Sequence, residues 1–361
     1  MSGTLAEIAE WTGEQRLAEL LRHHYGLKLT GAEPVGGVLK CITDEGMFAL
    51  KRIRRDERNR WELFGEVARH VNGAKDRKVS VPAPLFTDAG HTRFDGYHFA
   101  YGLLPWMEAE PIRLETAGDW HRASRRIARL HRLTRDFVSS RSRWSFRPVG
   151  TWTDQMKRAE QQLSVFRLAA KWTPLPTDAD RTWAEASGFV TGLMENVRRY
   201  VDAIGVEAEK EETASLGRVC HQNLHRRNLL SDRNGTCHVV DWNSVTLDSR
   251  TNDLARWVAY AYGRTGSKAV LRAALHGYHE AWPLEEVEWA QLYARLLFPE
   301  NILNILEKVY DQQTLSLEEA APLLKRATER EEKKMELIRA YADTARESFG
   351  VSVPLLDWVH Q

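Results

Sequence analysis

The period of the apolar positions changes along this chain, and each change marks an element. Leu5, Ile8, Leu17, Leu20 and Leu21 recur at helical spacing, which predicts an amphipathic helix over 4–24. From 27 to 54 the pattern is that of strands: 27–30, then Gly36-Gly37, 39–42, a turn at Asp44-Glu45-Gly46, and 47–53. An Asp-Glu-Gly turn between two apolar runs is a hairpin signal. A charged helix over 56–72 carries Leu63, Val67 and His70 on one side, and two further strands are predicted near 82–87 and 97–104. Pro105-Trp106-Met107-Glu108 interrupts the pattern. Beyond Pro111 the spacing is helical over 114–137, 153–170 and 178–204, and the acidic stretch 207–212 reads as a linker or loop. A strand-and-loop region over 217–253 separates these helices from later ones. Ser316-Leu317-Glu318-Glu319 is a capping box opening a long helix, with Gly350 as its C-cap. The predicted architecture is α+β: an N-terminal helix (1–26), a small antiparallel sheet with one helix (27–104), a hinge (105–110) and a large helical lobe (111–361).

Composition narrows the class. At 361 residues, with 43% hydrophobic and 28% charged positions, the chain has the profile of a folded two-lobe protein. A net charge of +1 gives no global field for nucleic acid. The arginine-rich run 121–135 reads as a solvated helix face. Cys41, Cys220 and Cys237 lack paired spacing, so neither a disulfide framework nor a zinc site is expected, and reduced thiols point to a cytoplasmic location. The N-terminus has no signal-peptide pattern, and no apolar run approaches the ~20 residues of a membrane span. The 13 tryptophans are expected mainly in the core.

The chemistry concentrates in Cys220-His221-Gln222-Asn223-Leu224-His225-Arg226-Arg227-Asn228 and Val239-Val240-Asp241-Trp242. Phosphoryl transfer from ATP needs a backbone cradle for the phosphates, a cation, oxygen ligands for Mg²⁺ and a group that orients the nucleophile. Asn228 and Asp241 offer amide and carboxylate oxygens suited to Mg²⁺. The Asn234-Gly235 turn signal predicts a hairpin that brings the two together. Strand alternation puts Ala49 and Lys51 on one face, which suits adenine and phosphate; a solvent-exposed strand-end lysine is the alternative. Glu66, or else Glu62, is placed to pair with Lys51 from the following helix. Gly36-Gly37 is either a phosphate cradle or a plain hairpin turn. Trp106 and Met107 are candidates to pack on adenine in the hinge. His221 and His225 have the i,i+4 spacing of zinc ligands but precede a strand, so His221 is read as bracing the loop. Asp253 caps a helix or braces the same loop.

These motifs resemble the catalytic loop, metal aspartate and downstream aspartate of the aminoglycoside and choline phosphotransferases, whose fold is protein-kinase-like. The resemblance extends to the CotS-type spore-coat kinase-like family, through the Cys-His-Gln opening, the Asp241 strand, Leu296-Leu297-Phe298-Pro299-Glu300 and Glu331-Glu332-Lys333-Lys334. It covers roughly 27–345, with the catalytic loop at 220–241. It implies an N-lobe that binds ATP with Mg²⁺, and a spore-coat location with spore-coat proteins or a small-molecule acceptor as partners. One residue departs from the pattern. Asn223 stands where the family has the aspartate that takes the acceptor's proton, and a carboxamide is too weak a base for that step. The expected protein is therefore a nucleotide-binding pseudokinase. An active small-molecule kinase and a scaffold without nucleotide are the alternatives.

Overall fold

The computed structural model describes residues 12–74, 76, 78–140, 152–204 and 219–360. They form two compact units: the described parts of 1–114, 126–147 and 216–248, and the described parts of 115–125, 148–215 and 249–361.

The first unit is built on a five-stranded antiparallel sheet. Its strands are β1 (Leu29–Val35), β2 (Val38–Thr43), β3 (Gly46–Ile53), β5 (Phe94–Asp95) and β6 (Ala100–Pro105), in the order β1-β2-β3-β6-β5. Pairing of Val35 with Val38 makes Gly36-Gly37 a two-residue turn, with Gly36 at φ +59° where glycine is unstrained. Pairing of Thr43 with Gly46 confirms the second predicted hairpin. One face of the sheet buries Leu39, Cys41, Leu50, Tyr101 and Leu103 against Leu17 and Leu21 of helix α1 (Leu17–Tyr25). Each such leucine contributes about 1.5–3 kcal/mol of burial. The other face carries helix α2 (Arg58–Gly73). There Gly102, opposite Lys51, lets the Trp61 ring approach so closely that an added Cβ would lie 2.0 Å from it.

Two expectations change. Helix α1 starts at Leu17, because Gly13 takes a left-handed φ of +75° that interrupts helical winding; Leu5 and Ile8 lie outside the described residues. The predicted strand at 82–87 does not form. Pro82 and Pro84 cannot donate to a sheet, and the Val81 N–H is taken by Asn72 Oδ1 at 3.2 Å. Instead β4 (Val79–Ser80) joins a second sheet, in the order β4-β10-β9-β7, with β7 (Glu110–Pro111), β9 (Leu229–Ser231) and β10 (Cys237–Val239). Short β8 (Val219–Cys220) pairs with β11 (Thr246–Leu247).

Helix α3 (Ala117–Leu133) begins in the second unit and ends in the first. The second unit is otherwise helical: α4 (Trp152–Trp172), α5 (Asp178–Ala203), α6 (Arg250–Thr265), α7 (Lys268–Ala281), α8 (Glu286–Leu297), α9 (Glu300–Leu306), α10 (Leu317–Phe349) and α11 (Asp357–His360). The predicted linker 207–212 lies outside the described residues. The capping box at Ser316 and Glu319 is formed, and Gly350 at φ +68° ends α10. Trp120, Trp183, Trp257 and Trp289 are fully buried core. The two late motifs meet where Lys334 Nζ donates to the Phe298 carbonyl at 3.1 Å. Among the described residues, no helix is long and apolar enough to cross a membrane.

Candidate active site

The site grows from the β9–β10 hairpin. Leu229 pairs with Val239 and Leu230 with His238, and both Leu229 and Val239 are buried. Asp232 Oδ1 accepts the Asn234 and Thr236 N–H groups at 2.9 Å, and Gly235 takes φ +76°, so the turn is closed by its own residues. One step beyond the strands, the Val240 N–H donates to the Asn228 carbonyl at 3.0 Å. That bond carries Asn228 to the edge of Asp241.

The preceding loop is held by His221, which is fully buried. Its Nδ1 accepts the Asn223 N–H at 3.2 Å, so the proton of a neutral ring sits on Nε2 and is donated to the Val240 carbonyl at 2.9 Å. Both His221 ring nitrogens are thus engaged, one within the loop and the other at the end of β10. Among the described residues no cluster of three His, Cys, Asp or Glu is arranged for a metal. The ring lies against Trp242 at a centroid distance of 4.6 Å, and Trp242 stacks on Phe64 of α2 at 6.2 Å. Asn228, itself buried, donates its Nδ2 to the Asn223 carbonyl at 2.8 Å.

Lys51 reaches the same place from β3. It is buried, and its Nζ makes an ion pair with Asp241 Oδ1. Asn223 Nδ2 donates to the other oxygen, Oδ2, at 3.4 Å. The structure therefore brings Lys51, Asn223, Asn228 and Asp241 into one hydrogen-bonded set. Burial, the largest influence on the Asp241 carboxyl, acts to raise its pKa. Lys51, with His221 and His225, acts the other way and holds it below the ordinary carboxylate value. Burial, aided by Arg227, lowers the pKa of His225 against the opposing charge of Asp241. Backbone strain brackets the loop: Gln222 and Asp241 both take φ +68°, a conformation that costs a non-glycine residue about 1–2 kcal/mol. Such strain persists only where surrounding contacts over-determine it.

Glu66 is a correction. It does not pair with Lys51. It accepts from Ser139 Oγ at 2.6 Å, from the Ser140 N–H at 3.1 Å and from Ser140 Oγ. Glu62 lies 3.7 Å from Arg93. Trp61 and Phe64 take the inward face of α2, and Asp241 takes the lysine. Ala49 is half-buried opposite Leu104. Trp106 and Met107, which follow β6 within the first unit, are half-buried. The Trp106 N–H extends the sheet to the Met47 carbonyl at 3.0 Å, the Met107 carbonyl accepts from Ala109 at 2.9 Å, and Lys40 Nζ stands 5.1 Å from the Trp106 ring centre. Gly36 and Gly37 are exposed, with open space around an added Cβ. Asp253 lies fully buried in the first turn of α6, in the second unit. The three cysteines are buried thiols, outside any disulfide. Burial pushes Cys41 to about 12 and Cys237 to about 11, so these two are not thiolate nucleophiles.

Sequence reasoning missed the roles of Trp242 and Phe64 as packing for the loop and of Gly102 as clearance for Trp61. Gly102 interrupts an apolar run, and that was the available signal. For a divalent cation the donor set fits. Asn228 directs its amide nitrogen to the Asn223 carbonyl, so its side-chain oxygen is the atom it can offer a cation, and Asp241 adds a carboxylate; an all-oxygen pair suits Mg²⁺.

Comparisons with known proteins bear on the family and the fold. A family model described as spore coat putative kinase YutH matches residues 18–341. The endospore coat-associated protein YutH of Bacillus subtilis (strain 168) is 23% identical over 296 residues, which covers 80% of this chain and 82% of that protein. An aminoglycoside phosphotransferase from Alicyclobacillus acidocaldarius subsp. acidocaldarius DSM 446 is similar over 89% of this chain and 93% of its own, with a TM-score of 0.67 at 14% identity. Spectinomycin phosphotransferase APH(9)-Ia, solved with ADP and spectinomycin, is similar over 90% of this chain and 98% of its own, with a TM-score of 0.61 at 13% identity. At such identities the structural likeness shows the fold alone, which is that of the kinase-like phosphotransferases. The matching family carries the name YutH where the sequence motifs suggested CotS. With the match spanning most of its length, this chain belongs to the spore coat putative kinase YutH family.

Proposed function

We propose that the chain is a spore-coat-associated, kinase-fold protein that binds Mg-ATP and transfers phosphate slowly or not at all. The observation that supports this reading is the single hydrogen-bonded set of Lys51, Asp241, Asn223 and Asn228. The buried Lys51 ammonium is a cation on the central strand β3, ready to meet phosphate oxygens. Mg²⁺, when bound, neutralises charge on the transferring phosphoryl group. Asn228 and Asp241 would hold it. Ala49 and the hinge at Trp106 and Met107 would take the base. The ADP found with the spectinomycin enzyme supports a nucleotide as the ligand class. The coat location rests on the Bacillus relative.

Asn223 limits the chemistry. Its amide nitrogen faces Asp241, and its oxygen is too weakly basic to take a proton at neutral pH. It can orient an acceptor hydroxyl but not deprotonate it, and general-base help is worth about 10²–10⁴ in rate. The test is thermal shift with Mg-ATP, followed by ATP turnover of wild type and Asn223→Asp. Binding at about 100 times Kd stabilises by ~2.7 kcal/mol, so a clear upward shift is expected. Turnover should rise in the variant. No shift at millimolar nucleotide removes the binding reading; equal turnover of the two proteins removes the impaired-base reading.

A further inference from the structure

Asp241 presents two carboxylate oxygens, and each has a donor. Oδ1 has the Lys51 ammonium, and Oδ2 has the Asn223 carboxamide at 3.4 Å. The donors sit on different supports. Lys51 is a long side chain from β3 that a triphosphate can draw away. Asn223 is fixed by its own backbone: its N–H is held by His221 Nδ1 at 3.2 Å and its carbonyl by Asn228 Nδ2 at 2.8 Å. A nucleotide therefore competes with Asp241 for Lys51 but not for Asn223.

The consequence depends on the charge at position 223. With a carboxylate there, loss of Lys51 to the phosphates would leave two adjacent anions facing a third, and a divalent cation would be needed to offset them. With Asn223 the position is neutral. It removes one negative charge and keeps one hydrogen bond on Asp241 after Lys51 has turned to phosphate. We propose that Asn223 is a positioning residue that relaxes the divalent-cation requirement of nucleotide binding, because its amide performs at Asp241 part of the task of a metal. The inference rests on the nucleotide-binding reading above. It goes beyond that reading in assigning the substituted residue a gain of property, where loss of a base would leave cation dependence untouched.

The experiment measures ATP affinity of the full chain by calorimetry in Mg²⁺ and in EDTA, for wild type, Asn223→Ala and Asn223→Asp. Wild type should weaken by less than about tenfold when Mg²⁺ is withdrawn, a change of under one decade in Kd. Asn223→Ala, which loses the donor without adding charge, should weaken more, and Asn223→Asp most, by about a hundredfold or above. The alanine variant keeps the comparison alive if the aspartate variant fails to fold. Wild-type binding that survives only in Mg²⁺, or the same Mg²⁺-to-EDTA ratio in all three proteins, overturns the inference while leaving nucleotide binding in place. Absence of binding by every protein in both buffers overturns the nucleotide reading and this inference with it.

Discussion

Gly102→Ala tests the close approach that lets α2 lie on the sheet beside Lys51. An alanine Cβ at this position would stand 2.0 Å from Trp61 Cζ2 and 2.6 Å from both Cε2 and Cη2. Carbon atoms settle at about 3.5–4.0 Å, so the ring must retreat by ~1.5 Å. It has little room to do so. Trp61 is buried, its Nε1 donates to the Thr92 carbonyl at 3.0 Å, and Phe64 meets it edge-on at 5.3 Å. Gly102 does not take a positive φ, so its backbone accepts alanine, and the entropy gained from the unfolded chain is about 0.4–1 kcal/mol. Overpacking costs about 1–3 kcal/mol, and with the ring anchored the upper end is expected, so the clash wins. A urea titration followed by tryptophan fluorescence should show a lower midpoint. Trp61→Leu should lose much of this sensitivity, and the coupling can be read from a double-mutant cycle. If Gly102→Ala stays within ~0.5 kcal/mol of wild type, the account of how α2 is seated beside Lys51 is wrong.

Three further outcomes are expected. Asn223→Asp in nucleotide-free protein places a second carboxylate near Asp241 Oδ2, where Asn223 now stands at 3.4 Å; at an effective dielectric of 20 the gross repulsion is about 5 kcal/mol. One carboxyl of that pair would titrate high, so the variant should be less stable than wild type at pH 8 and recover as pH falls toward 5, a trend that urea midpoints at both values would expose. In wild type the Asp241 carboxyl is held low, so its contribution is present above the unfolded value of about 3.9 and is lost as pH falls through the lower folded value; Asp241→Asn should blunt acid unfolding in that window, as followed by circular dichroism. Ser316→Ala removes the α10 cap, in which Ser316 Oγ accepts the Glu319 N–H at 3.3 Å, and should cost about 1 kcal/mol in chemical denaturation.

Much of this protein was written locally. The β1–β2 and β2–β3 hairpins, the capped α10 and the β9–β10 ribbon follow from turn residues and side-chain periods that act over a few positions. Asn228 and Asp241 meet for the same reason, since the hairpin between them closes on its own sequence. The partner of Lys51 is another matter. Asp241 lies 190 positions away, and the lysine chose it over Glu66, the nearer carboxylate in sequence. Glu66 is satisfied by Ser139 and Ser140, and nothing in its helical spacing announces that. The left-handed backbone at Gln222 and Asp241, the seat of Trp61 on Gly102 and the diversion of β4 to the second sheet are of the same kind. Local propensity sets which elements form and where they turn. Which charges neutralise one another depends on the closure of long chain segments around a shared core, where partial burial strips water from a carboxylate and a buried cation brought beside it takes that water's place.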